Sequence, residues 1–241
     1  MSEPARKNLL EHLEDLRLCL IRSAIALGLS TGLCLYFSKE IYRFLSLPFQ
    51  KVLPEGSHFI AISPLEGVAT YFKVSLLAGV FLASPFILYQ LWLFIAPGLY
   101  AKERKFAALF VLIASFLFIG GASLGYFIAF PAGFFFFTKL LEGTGIQLMP
   151  QMDLYLDFAV RVLLGFGLAF LYPIILFTLV QIGLIQRELL VKARRYVIVL
   201  AFLVAGIATP GPDIISQAIL ALPLLLLYEI TLLVIWLMKK S

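Results

Sequence analysis

Residues 106–140 read FAALFVLIASFLFIGGASLGYFIAFPAGFFFFTKL, with Lys139 as the sole charged residue. A helix of that length spans about 52 Å, and about 20 apolar residues already cross a bilayer core of about 30 Å. No water-facing helix is apolar on every side for so long, so this stretch belongs in lipid. Working outward, similar runs occupy 18–37, 68–96, 154–182 and 214–238, with a shorter one at 197–208. The fold class expected is an all-α membrane protein: six transmembrane helices in a curved, concave bundle, the fifth and sixth short. The chain reads as a single integral membrane domain, residues 1–241. Residues 1–17 are an amphipathic helix on the cytoplasmic side, and 38–67 and 141–153 are caps on the periplasmic side.

Composition agrees. The chain is 62% hydrophobic and 14% charged, against about 45–50% and 25% in soluble domains. The net charge of +5 comes from short basic clusters between apolar runs, which excludes a nucleic-acid face. Thirteen of the 19 Lys and Arg residues fall on the side of both termini: Arg6, Lys7, Arg17, Arg22, Lys102, Arg104, Lys105, Arg187, Lys192, Arg194, Arg195, Lys239 and Lys240. Lys39, Arg43, Lys51 and Lys139 fall on the other. The positive-inside rule puts both termini in the cytoplasm. The acidic N-terminus, without a small-residue cleavage site, does not read as a cleaved signal peptide.

Pro85, Pro131 and Pro173 lie inside apolar runs and are expected to bend their helices. The fifth run holds about 12 apolar residues, so the bilayer thins around it or neighbours hold it as a plain hairpin. The turn Thr209–Asp213 offers Asp213 as an N-cap for the sixth helix. Loop 38–67 keeps enough aromatic and aliphatic residues, with a helical piece near 40–47, to read as a structured cap. Gly121 and Gly125 form a GxxxG suited to close packing within the chain.

The sequence holds no HExxH, GxSxG, Walker A or Cys/His cluster. Cys19 and Cys34 are about 22 Å apart along one helix, too far for a disulfide. No metal or cofactor is expected. What needs explaining is acids. Glu11, Glu14 and Asp15 line the polar side of the N-terminal helix, with Arg17 beside them. They form either a solvated helix end or a docking surface for a basic peptide. Glu103 is the lone acid of a basic loop, either a local counter-charge or the second half of a site for two cations. Glu229 lies about 24 Å into the sixth helix, as a functional intramembrane acid or an ion-pair partner of Arg17 or Arg22. Asp157 and Arg161, one turn apart, are expected to pair, and Lys73 to snorkel.

The segment Pro85-Phe86-Ile87-Leu88-Tyr89-Gln90-Leu91-Trp92-Leu93-Phe94-Ile95-Ala96-Pro97-Gly98-Leu99-Tyr100, followed by Glu103, resembles the signature of the TatC family. So do His12-Leu13 with Leu16-Arg17, Thr209-Pro210 with Pro212-Asp213 and Gln217, and Pro223 with Tyr228-Glu229-Ile230. The resemblance implies a receptor in the bacterial inner membrane for twin-arginine signal peptides. It implies export of folded cargo by the proton-motive force and assembly with TatA- and TatB-type subunits and further copies of itself. It implies no enzyme activity and no nucleic-acid partner. Two carboxylates suit two guanidinium forks. By resemblance, Asp15 and Glu103 bind the arginines, with Arg17, Phe94, Leu99 and Tyr100 around them. Pro48, Asp213, Gln217 and Glu229 match positions linked to assembly or transport. The family usually has Glu where this chain has Asp15, and often a fourth-helix Glu where it has Leu171. Tyr172 is a possible replacement hydroxyl. The alternative to a translocase is a small secondary transporter or channel, suggested by Glu229, Asp157, Arg161 and the prolines. A membrane-embedded enzyme is disfavoured by the missing nucleophile, base and metal motifs.

Overall fold

The structure, a computed structural model, describes residues 9–51, 59–95, 107–141, 149–181, 183–208 and 214–239. Its elements are α1 (Leu9–Tyr36), α2 (Ser38–Gln50), α3 (Pro64–Ile95), α4 (Ala107–Leu124), a π-helical turn (Gly125–Ala129), α5 (Phe130–Leu141), α6 (Met152–Ala169), α7 (Tyr172–Gln181), α8 (Arg187–Ala208) and α9 (Ile214–Lys239). The six crossings are α1, α3, α4 with α5, α6 with α7, α8 and α9. Four of them are long and apolar enough to span a membrane by length and composition. α8 and α9 have 22 and 26 residues, but neither is among those four: α8 spends its first turns on charged residues and the apolar stretch of α9 runs only from Ala221 to Leu237, so as crossings they are short, as expected.

The prolines act in different ways. Pro173 has no N–H to give Ala169, and the chain breaks there: α6 stops at Ala169 and α7 starts at Tyr172. Pro131 follows the π-helical turn, where the Phe130 N–H reaches Gly125 O instead of the carbonyl one α-turn back. At Pro85 the helix runs on without a break. Phe81 O loses its usual donor there, and Ser84 Oγ donates to it at 2.7 Å.

The elements pack as a bundle. α1 lies along α3; α3, α4 and α6 contact one another; and the α8–α9 hairpin joins through α6, α7 and the π-helical turn. Gly79 sets the α1–α3 approach: a Cβ there would lie 2.9 Å from the Thr31 backbone nitrogen. Gly121 does the same for α4 and α6, where a Cβ would come within 2.5 Å of Phe166 O. The Gly121/Gly125 pair therefore packs inside the chain, as expected.

One end of the bundle is capped. α2 buries Tyr42, Leu45, Ser46 and Phe49, spaced at 3, 4 and 7 residues on one helical face. Phe49 stacks on Tyr155 (5.4 Å between ring centroids) and packs on Phe134 (4.1 Å) and Phe59 (5.5 Å). Ile60 bridges to the start of α6, its N–H on Pro150 O and its carbonyl accepting from Met152 N, each at 3.0 Å.

Candidate signal-peptide site and the charged groups of the helices

The N-terminal acids are placed by the α1–α3 pairing. Ser75 Oγ, which donates to Tyr71 O of its own helix, lies 3.4 Å from Cys34 O, and Gly79 faces Thr31. The two helices run antiparallel with the same rise per residue. Sixteen residues back from Thr31 is Asp15, and sixteen forward from Gly79 is Ile95. The register therefore brings Asp15 level with the end of α3, where Phe94 sits. Both Asp15 and Phe94 are half-buried, and Glu11, Glu14 and Arg17 are exposed. Leu99, Tyr100, Glu103 and Asp213 lie outside the described residues. In sequence, Leu99, Tyr100 and Glu103 come four, five and eight residues after α3 ends at Ile95, and Asp213 immediately precedes α9.

Pro48 sits inside α2, where it deprives Phe44 O of its helical donor. Tyr126 Oη takes that place at 2.5 Å, and Tyr155 Oη donates to the neighbouring Leu45 O at 2.6 Å. The proline thus marks where two other helices are bonded to the cap. Gln217 joins the two arms of the last hairpin: its Nε2 donates to Phe202 O at 2.6 Å. Gly206 leaves room for it, since a Cβ there would lie 2.6 Å from that nitrogen.

Two pairings expected from sequence are corrected. Glu229 pairs with Arg194 of α8 (2.8 Å), not with Arg17 or Arg22, and both side chains are about half exposed rather than buried. The signal was present in the sequence: Arg194 and Glu229 are almost equally far from the 209–213 turn, so a hairpin sets them side by side. Asp157 does not turn to Arg161. Lys73 joins Asp157 (2.9 Å) and Asp153 (2.6 Å) across α3 and α6. The Tyr172 hydroxyl donates to Leu224 O and fastens α7 to α9. Leu171 is buried among Leu88, Ala114, Phe118 and Ile174.

Glu66 was missed by the sequence reading. Its Oε2 accepts from Ile62 N (2.7 Å) and Ser63 N (3.4 Å), and its Oε1 from Asp153 N (3.2 Å). One carboxylate thereby caps two helices, α3 and α6. Ser63-Pro64-Leu65-Glu66 has the capping-box spacing with Pro at the first helical position, which was the legible signal. Among the described residues no group of three His, Cys, Asp or Glu side chains is set to hold a metal.

The family described as Sec-independent protein translocase protein (TatC) matches residues 11–223. The chain belongs to the TatC family. A TatC of Desulforapulum autotrophicum is 42% identical over 221 residues, covering 92% of this chain and 81% of that protein. One from Aquifex aeolicus is 40% identical, covering 92% of each. A crystal structure of the twin-arginine translocase receptor TatC in DDM superposes with a TM-score of 0.81 at 38% identity, covering 92% of this chain and 98% of that one. This TatC is therefore a helical membrane protein and a component of a Sec-independent protein translocase. The comparisons favour that reading over a small transporter or channel.

Proposed function

We propose that this TatC chain is the twin-arginine signal-peptide receptor of a translocase that exports folded proteins across the bacterial inner membrane on the proton-motive force. It works as a single integral membrane domain, with both termini and the Asp15 end of α1 in the cytoplasm. The caps at 38–67 and 141–153 lie in the periplasm. It assembles with TatA- and TatB-type subunits and with further copies of itself. It acts by binding, without cofactor or catalysis. Asp15 and Glu103 bind the two guanidinium groups, with Arg17, Phe94, Leu99 and Tyr100 forming the surround. Pro48, Asp213, Gln217 and Glu229 serve assembly or transport.

The observation that carries the reading is the α1–α3 register, which sets Asp15 beside the end of α3 that leads into Leu99, Tyr100 and Glu103. A carboxylate and guanidinium form a charge-assisted, planar pair worth about 1.5–3 kcal/mol. Glu103→Gln should therefore weaken binding of a twin-arginine peptide at least tenfold and reduce export of a folded reporter, with membrane abundance unchanged. A Lys-Lys peptide should bind more weakly than Arg-Arg, because ammonium lacks the fork. Unchanged export by Glu103→Gln, or equal crosslinking of an Arg-less peptide near residue 103, would overturn the assignment.

A further inference from the structure

The first turns of α8, residues 187–196, carry Arg187, Lys192, Arg194 and Arg195 against the single acid Glu188. Two neighbouring arginines have different fates. Arg194 faces α9 and is neutralised by Glu229 at 2.8 Å. Arg195 faces away: its guanidinium lies over Tyr196, 4.8 Å from the ring centroid, with an Nη on the tyrosine hydroxyl at 3.0 Å. Lys192 is three residues before Arg195 and four before Tyr196, so the three share one helical face. All three are exposed. Lys192 makes no ion pair among the described residues.

The same face continues along the helix as Val199, Leu200 and Leu203, also exposed. Cations at one end of an outward apolar stripe match the outline of a phospholipid. Depth agrees with this. The apolar run 197–208 is about 18 Å long against a hydrocarbon core of about 30 Å. A leaflet thinned to meet it brings lipid phosphates to the level of residues 192–196. An arginine fork binds phosphate oxygens in pairs, lysine adds a point charge, and tyrosine sits at headgroup depth.

We propose that Lys192, Arg195 and Tyr196 bind the phosphate of an anionic phospholipid whose acyl chains lie along Val199, Leu200 and Leu203. The site is separate from the signal-peptide acids and does not depend on that assignment. Each cation near an anionic surface is worth about fivefold in affinity. The test is native mass spectrometry of the full chain in detergent, titrated with phosphatidylglycerol, phosphatidylcholine or inorganic phosphate. The wild type is expected to prefer phosphatidylglycerol over phosphatidylcholine by at least tenfold. K192Q/R195Q should lose about 25-fold in phosphatidylglycerol affinity. The charge-keeping K192R/R195K should retain most of it, as should K39Q/K51Q, which removes two cations from the other end. An unchanged phosphatidylglycerol preference in K192Q/R195Q would overturn the proposal. So would an equal loss in K39Q/K51Q, or competition by inorganic phosphate at the concentration at which the lipid binds.

Discussion

Gly79 shows how much one missing methyl group controls. A Cβ there would press on the backbone of Thr31, which cannot swing aside as a side-chain tip can. Gly79→Ala should force α1 from α3 and cost about 1–3 kcal/mol by overpacking, read by thermal unfolding in detergent. Because α1 carries Asp15, signal-peptide binding should fall with it. Gly120→Ala on α4 is the control. A Cβ there meets nothing within 4 Å, and the better helix former should leave stability equal or slightly raised. A Gly79→Ala variant as stable as Gly120→Ala would contradict the close approach. From the sequence the two glycines look alike in their apolar runs; only the neighbouring helix tells them apart.

At the scale of elements, hydrogen bonds and one ion triad join what hydrophobic packing merely gathers. Among the described residues, four tyrosine hydroxyls donate to carbonyls of other helices: Tyr126 to Phe44, Tyr155 to Leu45, Tyr172 to Leu224 and Tyr228 to Leu190. Tyr126→Phe strands the carbonyl that Pro48 has already freed, and should cost about 1–3 kcal/mol. In a Pro48→Ala background residue 48 regains an N–H for Phe44 O, so the same change should cost clearly less. A double-mutant cycle on unfolding measures this coupling, and strict additivity would refute it. Lys73 is the centre of the α3–α6 triad. Lys73→Met leaves Asp153 and Asp157 facing each other with no cation between them, and should lower stability by about 1–2 kcal/mol. Restoring one neutral partner with Asp157→Asn should recover part of it; no recovery would mean that the triad is not the cause. The sequence reading paired Asp157 with Arg161 on its own helix and gave Lys73 no partner, only a snorkelling side chain. Spacing along a helix shows i,i+4 neighbours and is blind to residues 80 positions away.

For the molecule as a whole, orientation is the first quantity to test. In a chain with Cys19 and Cys34 replaced by Ser, Lys39→Cys should react with an impermeant maleimide in intact cells. Ser241→Cys should react only after lysis, and the reverse pattern would invert the proposed topology. Composition and apolar run length by themselves determined a six-crossing helical membrane protein. The reason is that lipid requires every backbone polar group to be satisfied within its own helix, so about 20 apolar residues leave few alternatives. Motif residues such as Pro97, Tyr100 and Glu103 carried the family, because a signature survives in the linear order of residues. Tertiary structure alone decided the other partners: Asp15 at the level of Phe94, Lys73 between two aspartates, and Glu66 reaching from its own helix start to that of α6. Those contacts depend on which helix lies beside which and at what register. That choice is made by the close approaches at Gly79 and Gly121 and by the cap at one end. No window of sequence contains both sides of such a contact, so its energy enters only when the helices have packed.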